Sequence, residues 1–275
     1  MNRAGTKASV GYSVSHRVVA WVSRHLLGNL EYTVRHGLTK GLKRRGGLGF
    51  LPAWTASESA ETRFLSSLEL AGQVVYDVGA YEGLLTLFFA SRAAQVVAFE
   101  PNPTTLKRLR RNLALNGFTN VLVVPTGVGA KPATLELTYD SLMTGGASAD
   151  PSISAALRTV APHTQTAIIP VDRLDTLMGA KSLPAPHLVK VDVEGMELEV
   201  LQGATDLLQR HRPALYVELH GATPEEKQRR ASALREFLTA QGYSSVYHVE
   251  SEGREDRPIE GHLYCRVLGG SGAPQ

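Results

Sequence analysis

The stretch Val74-Val75-Tyr76-Asp77-Val78-Gly79-Ala80-Tyr81-Glu82-Gly83 constrains the fold more than any other part of the chain. An apolar run is broken by Asp77, two glycines follow four positions apart, and Leu84, Leu85, Leu87, Phe88 and Phe89 then begin a helical pattern. That order reads as a strand, a tight turn and a helix. Glycine at the turn lets the backbone approach a ligand that a Cβ would exclude, and the helix that follows starts with N–H groups lacking an intrahelical partner. The turn is therefore a cofactor seat. A second apolar run, Gln95-Val96-Val97-Ala98-Phe99, ends at Glu100. This acid lies about twenty residues beyond Gly79, the spacing at which nucleotide-binding βαβ units place a carboxylate on a ribose.

The turn itself discriminates between cofactors. A dinucleotide fold requires Gly-x-Gly-x-x-Gly, whose second glycine admits a pyrophosphate. Here that position is Tyr81, so a dehydrogenase is disfavoured. What remains is Asp77, Gly79 and Gly83 with a ribose-binding acid after the second strand.

A chain of 275 residues has room for one α/β domain with an appendage, and its 43% hydrophobic and 20% charged composition is that of a globular protein. The single cysteine, Cys265, excludes an internal disulfide and a cysteine-built zinc site, and fits a cytoplasmic setting. The net charge of +3 is unevenly spread: residues 1–50 hold nine Lys or Arg against Glu31 alone. The remainder is mildly acidic and lacks the basic face that nucleic acid demands. No apolar run is long enough for a membrane span.

Three regions follow: a basic N-terminal helical extension (1–57), a catalytic-looking body (58–268) and a flexible tail (269–275). In the first, Val14, Val18, Trp21 or Val22, Leu26 and Leu30 recur at helical spacing, an amphipathic helix of about four turns. It can dock on the body as a cap, close over a substrate, or lie on an anionic membrane, placing the protein at the inner membrane surface. In the body, helices are expected over about 58–70, 104–116, 196–208 and 224–241, and strands over 121–125, 134–139, 167–171, 187–195 (ending in two acids and a glycine), 214–221, 243–249 and 262–267. Residues 140–164 show no periodicity and read as a substrate loop.

Four stretches in order, Asp77-Val78-Gly79-Ala80, Phe99-Glu100-Pro101-Asn102, Val171-Asp172-Arg173-Leu174-Asp175 and Lys190-Val191-Asp192-Val193-Glu194-Gly195, followed by Glu218-Leu219-His220, resemble the FkbM family of class I methyltransferases that use S-adenosylmethionine. The resemblance implies a Rossmann-like α/β fold: a mostly parallel, twisted seven-stranded sheet flanked by helices, with an extra hairpin and loop. It implies that Asp77, Gly79, Ala80, Tyr81 and Gly83 wrap the cofactor and that Glu100, with Pro101 and Asn102, meets both ribose hydroxyls. Gly127 and Val128 would line the adenine pocket, Asp192 would close the cofactor site, and S-adenosylhomocysteine would be the product. The acceptor would be a hydroxyl of a glycan, glycolipid or secondary metabolite. A non-catalytic protein that binds the same cofactor is the alternative.

Acids and an imidazole at the predicted strand ends supply the chemistry, because ligands of an open parallel sheet collect there. His220 is the first candidate for general base, its ordinary pKa lying near neutrality. Asp192 and Glu194 can act as base and orienter, with Lys190 paired to either acid. A metal-free site is the leading expectation; if a divalent cation is used, Asp192, Glu218 and His220 are its ligands. Asp192 and Glu194 converge only if the strand runs through both, since side chains two apart share a face. Oligomeric state is not legible in the sequence.

Overall fold

The computed structural model describes residues 30–46, 58–140, 147–161, 163–253 and 261–267. Its centre is a sheet of β3 (Val74–Val78), β4 (Gln95–Phe99), β5 (Val121–Val124), β9 (Leu188–Val191), β10 (Ala214–Glu218), β11 (Ser245–His248) and β12 (His262–Arg266). In space the order is β11-β12-β10-β9-β3-β4-β5. β5, β4, β3, β9 and β10 run parallel, while β12 lies antiparallel between β10 and β11. The mostly parallel seven-stranded sheet is thus as expected. All four residues of β9 are buried, as are the last four of β3 and of β4, which is why these strands read as apolar runs interrupted only by Asp77 and Lys190.

The chain runs outward from β3 through β4 to β5 and then returns to β9 on the other side of β3. Ligands gather at the carboxyl ends of strands flanking such a reversal. The ends of β3, β4, β9 and β10 therefore frame the site.

Helices cover both faces: α1 (Ala60–Ser67), α2 (Leu84–Ala90), α3 (Pro103–Asn116), α4 (Pro151–Val160), α5 (Leu174–Ala180), α6 (Glu197–Gln202), α7 (Thr205–His211) and α8 (Pro224–Ala240). Asn102 caps α3 by accepting the Thr104 N–H, Pro103 follows with its fixed φ, and Gly117 ends the helix at φ +66°. The core under β3, β4, β9 and β10 is built on Tyr76, Phe99, Leu174, Leu201, Leu208 and Leu215. Tyr76 is wholly buried and keeps its hydroxyl satisfied by donating to the Pro184 carbonyl at 2.7 Å. A second sheet of β6 (Gly127–Val128), β7 (Ala133–Asp140) and β8 (Thr164–Asp172) is the expected hairpin, β7 pairing antiparallel to β8 from Ala133–Val171 to Asp140–Thr164. β6 is added to it parallel to β8.

Three expectations need correction. Residues 30–46 are not helical: β1 (Glu31–Thr33) and β2 (Lys43–Arg45) form a hairpin whose connection uses Gly37 and Gly41 at φ +76° and +87°. Its backbone is anchored on α3, where Asn116 and Asn112 accept the Lys43 and Arg45 N–H groups at 2.8 and 2.9 Å. The rest of the proposed amphipathic helix, residues 14–26, and the tail 269–275 lie outside the described residues. Second, α4 occupies much of the presumed loop, started by Asp150, which accepts from the Ser152 and Ile153 N–H groups, and by Pro151. Third, the helix expected over 196–208 is two helices, α6 and α7, separated at Gly203-Ala204. No helix among the described residues is long and apolar enough to cross a membrane.

Candidate active site

The turn after β3 is held by the end of β4. Gly79 and Ala80 both donate to the Phe99 carbonyl at 3.0 Å, and the Tyr81 N–H donates to Glu100 Oε2 at 2.7 Å. These amides are used within the protein, so the turn offers a ligand its shape and its carbonyl edge. Tyr81 adopts φ +53°, a left-handed conformation uncommon for a residue with a Cβ. Gly79, at φ +80°, lies so close to the end of β9 that an added Cβ would overlap the Asp192 carbonyl oxygen. Gly83 faces away from the ligand side: its Cβ would stand 2.6 Å from Leu109 Cδ1, so α3 dictates this glycine.

A cavity of about 160 Å³ opens beside the turn. Gly79, Tyr81, Glu100, Pro101, Gly127 and Val128 line it, with Asp192 and Glu194 at its acidic end. Ala80, Gly83, Asn102 and the fully buried Asp77 are not in its wall. Asp77 instead accepts from Thr86 Oγ1 at 2.6 Å and pairs with Lys190 at 3.0 Å, orienting the turn from behind. Asn102 Nδ2 is buried with no partner among the described residues. The sequence reading missed the apolar wall supplied by Leu135, Leu137 and Ile169 of β7 and β8, although the alternation of Leu135 and Leu137 with polar residues was visible.

Glu100 is 7% exposed and accepts from three protein donors: the Tyr81 N–H, the Asn102 N–H at 2.8 Å and Thr105 Oγ1 at 2.8 Å. Burial nevertheless pushes its carboxyl above the ordinary value, against those hydrogen bonds. A carboxylate has about four lone-pair sites, which leaves room for about one further donor rather than both ribose hydroxyls. The seat fits an uncharged ribose and an adenine: a carboxylate with one acceptor position remaining, a glycine-lined edge and an apolar wall.

At the acidic end, Lys190 is 3% exposed and reaches Asp77, Asp192 Oδ2 at 3.3 Å and the Gly79 carbonyl at 2.7 Å. Burial works against its ammonium, but Asp192 and Asp77 outweigh it and raise its pKa. The lysine pairs with both acids and ties β3 to β9. It is absent from the cavity wall.

Strand β9 stops at Val191, so Asp192 and Glu194 do not converge by strand alternation. Glu194 and Gly195 take φ +55° and +109°, and this left-handed turn swings Glu194 back toward His220. The cost of such a conformation is of order 1–3 kcal/mol, offset by packing around it. Ser148 donates to the Glu194 carbonyl at 2.6 Å, and Arg230 bonds both the Gly195 carbonyl and Asp150 at the start of α4. A Cβ on Gly195 would stand 2.5 Å from Ile153 Cδ1. The segment expected to be a substrate loop thus clamps the Glu194 turn through α4.

His220 is surrounded by carboxylates. Its Nδ1 lies 2.8 Å from Glu197, and its Nε2 lies 3.4 Å from Glu194, 3.5 Å from Glu218 and 3.9 Å from Asp192. Burial alone would depress the imidazole, but Glu197, Glu218 and Glu194 push it up to about 11. The expectation that His220 titrates near its ordinary value is therefore not met, because four acids stabilise the imidazolium. Burial raises Glu194 to about 7 and raises Asp192 against the pull of Lys190. Burial opposes the charge on Glu218 as well, yet His220 and His262 hold that carboxyl well below the usual range.

Glu197 and His262 are the polar residues that sequence reasoning missed. Glu197 is 3% exposed and also accepts the Gly195 N–H at 2.8 Å, an acid in the first turn of α6 that bends back to the loop before it. His262 opens β12, opposite Glu218 in the sheet, and its Nε2 lies 3.3 Å from Glu218 while Nδ1 contacts Glu250 at 2.6 Å.

A model of the methyltransferase FkbM domain matches residues 77–245, which contain every candidate discussed above except His262 and Glu250. Hexuronic acid methyltransferase AglP of Haloferax volcanii is 36% identical over 155 residues, covering 56% of this chain and 59% of that protein. Methyltransferase 1 of Beauveria bassiana is 30% identical over 145 residues, covering 48% and 58%. The chain thus spans about three-fifths of the length of these relatives. The crystal structure of methyltransferase FkbM from Methylobacillus flagellatus aligns at 19% identity with a TM-score of 0.45, covering 70% of this chain and 43% of that one. The family model takes in more than half of the chain and carries the cofactor turn and the acidic cluster alike; the chain belongs to the FkbM methyltransferase family.

Proposed function

We propose that this chain is an S-adenosylmethionine-dependent O-methyltransferase whose acceptor is a hydroxyl of a small molecule or glycan. The observation that carries this reading is one cavity whose wall joins a ribose-suited carboxylate, Glu100, to a pair of acids, Asp192 and Glu194. Glu100, the Gly79 edge and Gly127 would hold the cofactor, with the apolar wall of β7 and β8 around its adenine. When bound, that cofactor supplies a sulfonium methyl whose C–S bond breaks as the acceptor oxygen forms the new C–O bond.

The protein has then to hold the acceptor oxygen in line and take its proton. Asp192 and Glu194 line the cavity and present acceptor oxygens there, so the hydroxyl proton passes to this pair. His220 stands behind them, outside the wall, and orients both carboxylates. Lys190 is a positioning residue that fixes Asp192 relative to the Gly79 turn. A sugar acceptor is supported by the hexuronic acid methyltransferase, which is 36% identical over 155 residues.

Incubation with tritium-labelled cofactor and a panel of uronic acid, neutral sugar and aliphatic alcohol acceptors tests the reading. Label transferred to a saccharide hydroxyl, and lost in Asp192→Asn with Glu194→Gln, is the expected result. Saturable S-adenosylhomocysteine binding with no transfer to any acceptor in the panel would favour the non-catalytic binder instead.

A further inference from the structure

We infer that Asp192, Glu218 and His220 form a divalent cation site of the Mg²⁺ or Mn²⁺ class behind the acidic end of the cavity, reaching its wall through Asp192. The three residues come from different places: the residue after β9, the last residue of β10 and the loop that follows it. One ligand atom from each lies within 4.8 Å of the others. Once a cation displaces the proton that His220 Nε2 carries among these acids, two carboxylate oxygens and an imidazole nitrogen suit a hard or borderline cation that keeps further positions for water or substrate.

Proximity of acids alone would not argue for an ion. The stronger observation is how each residue is divided between two partners. Asp192 gives Oδ2 to Lys190 and turns Oδ1 to His220 Nε2 at 3.9 Å. Glu218 gives Oε2 to His262 and turns Oε1 to the same nitrogen at 3.5 Å. His220 gives Nδ1 to the buried Glu197, which is itself fixed by the Gly195 N–H. Three residues outside the set, Lys190, His262 and Glu197, therefore hold the far atom of each ligand and leave the three near atoms facing one another. Holding ligands by their outer atoms is how proteins fix metal-binding carboxylates and imidazoles. The near oxygens of Glu218 and Asp192 stand 3.5 and 3.9 Å from His220 Nε2, with Glu194 Oε2 at 3.4 Å beside them, a cluster of donor atoms around one point.

The inference deepens the methyltransferase reading and rests on it for its purpose. Asp192 and Glu194 also line the cavity, so an ion on Asp192 Oδ1 adjoins the acceptor position. There it would bind the acceptor oxygen and ease loss of its proton to the neighbouring carboxylate.

The test is a Mn²⁺ titration of the chelator-treated full chain, without cofactor, followed by electron paramagnetic resonance. A single saturable site is expected, with electron spin-echo modulation from a directly bound nitrogen. His220→Gln should remove that modulation, and Asp192→Asn should weaken binding by about tenfold or more, the scale of losses at metal-site residues. Glu136→Gln, in the exposed pair with Arg158, should change neither. Absence of Mn²⁺ uptake by chain that binds S-adenosylhomocysteine, or bound Mn²⁺ without nitrogen coupling, overturns the site while leaving the transferase reading intact. Should the variants fail to fold, the nitrogen signal of the unaltered chain still decides.

Discussion

Gly79 and Asp192 touch backbone to backbone: a Cβ on the glycine would occupy the space of the Asp192 carbonyl oxygen. This contact joins the two motifs that the sequence separates by more than a hundred residues, and it is closed from the side by Lys190, which holds the Gly79 carbonyl and the Asp192 carboxylate together. Gly79→Ala combines that overlap with a φ of +80°, so the ends of β3 and β9 must part. The variant should lose about 3 kcal/mol or more of stability in urea unfolding and should not bind S-adenosylhomocysteine. A midpoint matching the unaltered protein would show that the strand ends are less tightly coupled than this contact implies.

Glu100→Gln tests the cofactor seat. An amide cannot accept at both ends, so one of the Tyr81, Asn102 or Thr105 donors would face an NH₂ group. We expect a stability loss of about 1–3 kcal/mol and at least about tenfold weaker S-adenosylhomocysteine binding by calorimetry. Undiminished affinity would place the ribose elsewhere.

The sheet was legible where burial on both faces made continuous apolar runs, and the acids Glu100 and Asp192 stood out because each ends such a run. The convergence of Glu194 on His220 was not legible: it depends on two successive left-handed residues after β9, which no periodicity signals. His262 reaches Glu218 through sheet pairing of β12 with β10, a contact between segments far apart in sequence. The α4 helix was hidden by the lack of periodicity across 140–164, although Asp150-Pro151 is a helix start.

Arg230 holds three groups at once: Asp150 at 2.8 Å, Glu226 at 2.6 Å and the Gly195 carbonyl. It therefore links α8 to the start of α4 and to the turn that carries Glu194. Arg230→Met should speed amide hydrogen exchange across residues 148–157 by about tenfold or more while leaving β3 protected, since local opening draws on local contacts. Methyl transfer should fall with it. Equal exchange in both proteins would show that α4 is held by Ile153 packing on Gly195 and does not need the ion pairs.

Cys265 reports on the far side of the sheet. It is wholly buried in β12, and burial pushes its thiol up to about 12 from the ordinary 9.0. The folded state therefore holds the proton more tightly than the unfolded state does. Stability linked to this group is complete below about 9 and declines as pH rises toward 12, because the unfolded thiolate becomes the favoured ionised form. Two results follow. At pH 8 a disulfide reagent should modify the native chain only as fast as it unfolds, while urea-unfolded chain reacts at once. Between pH 8 and 10.5 the urea midpoint of the unaltered protein should fall more steeply than that of Cys265→Ala. Rapid stoichiometric modification of the native protein would mean that β12 opens on its own, and with it the His262 contact that fixes Glu218.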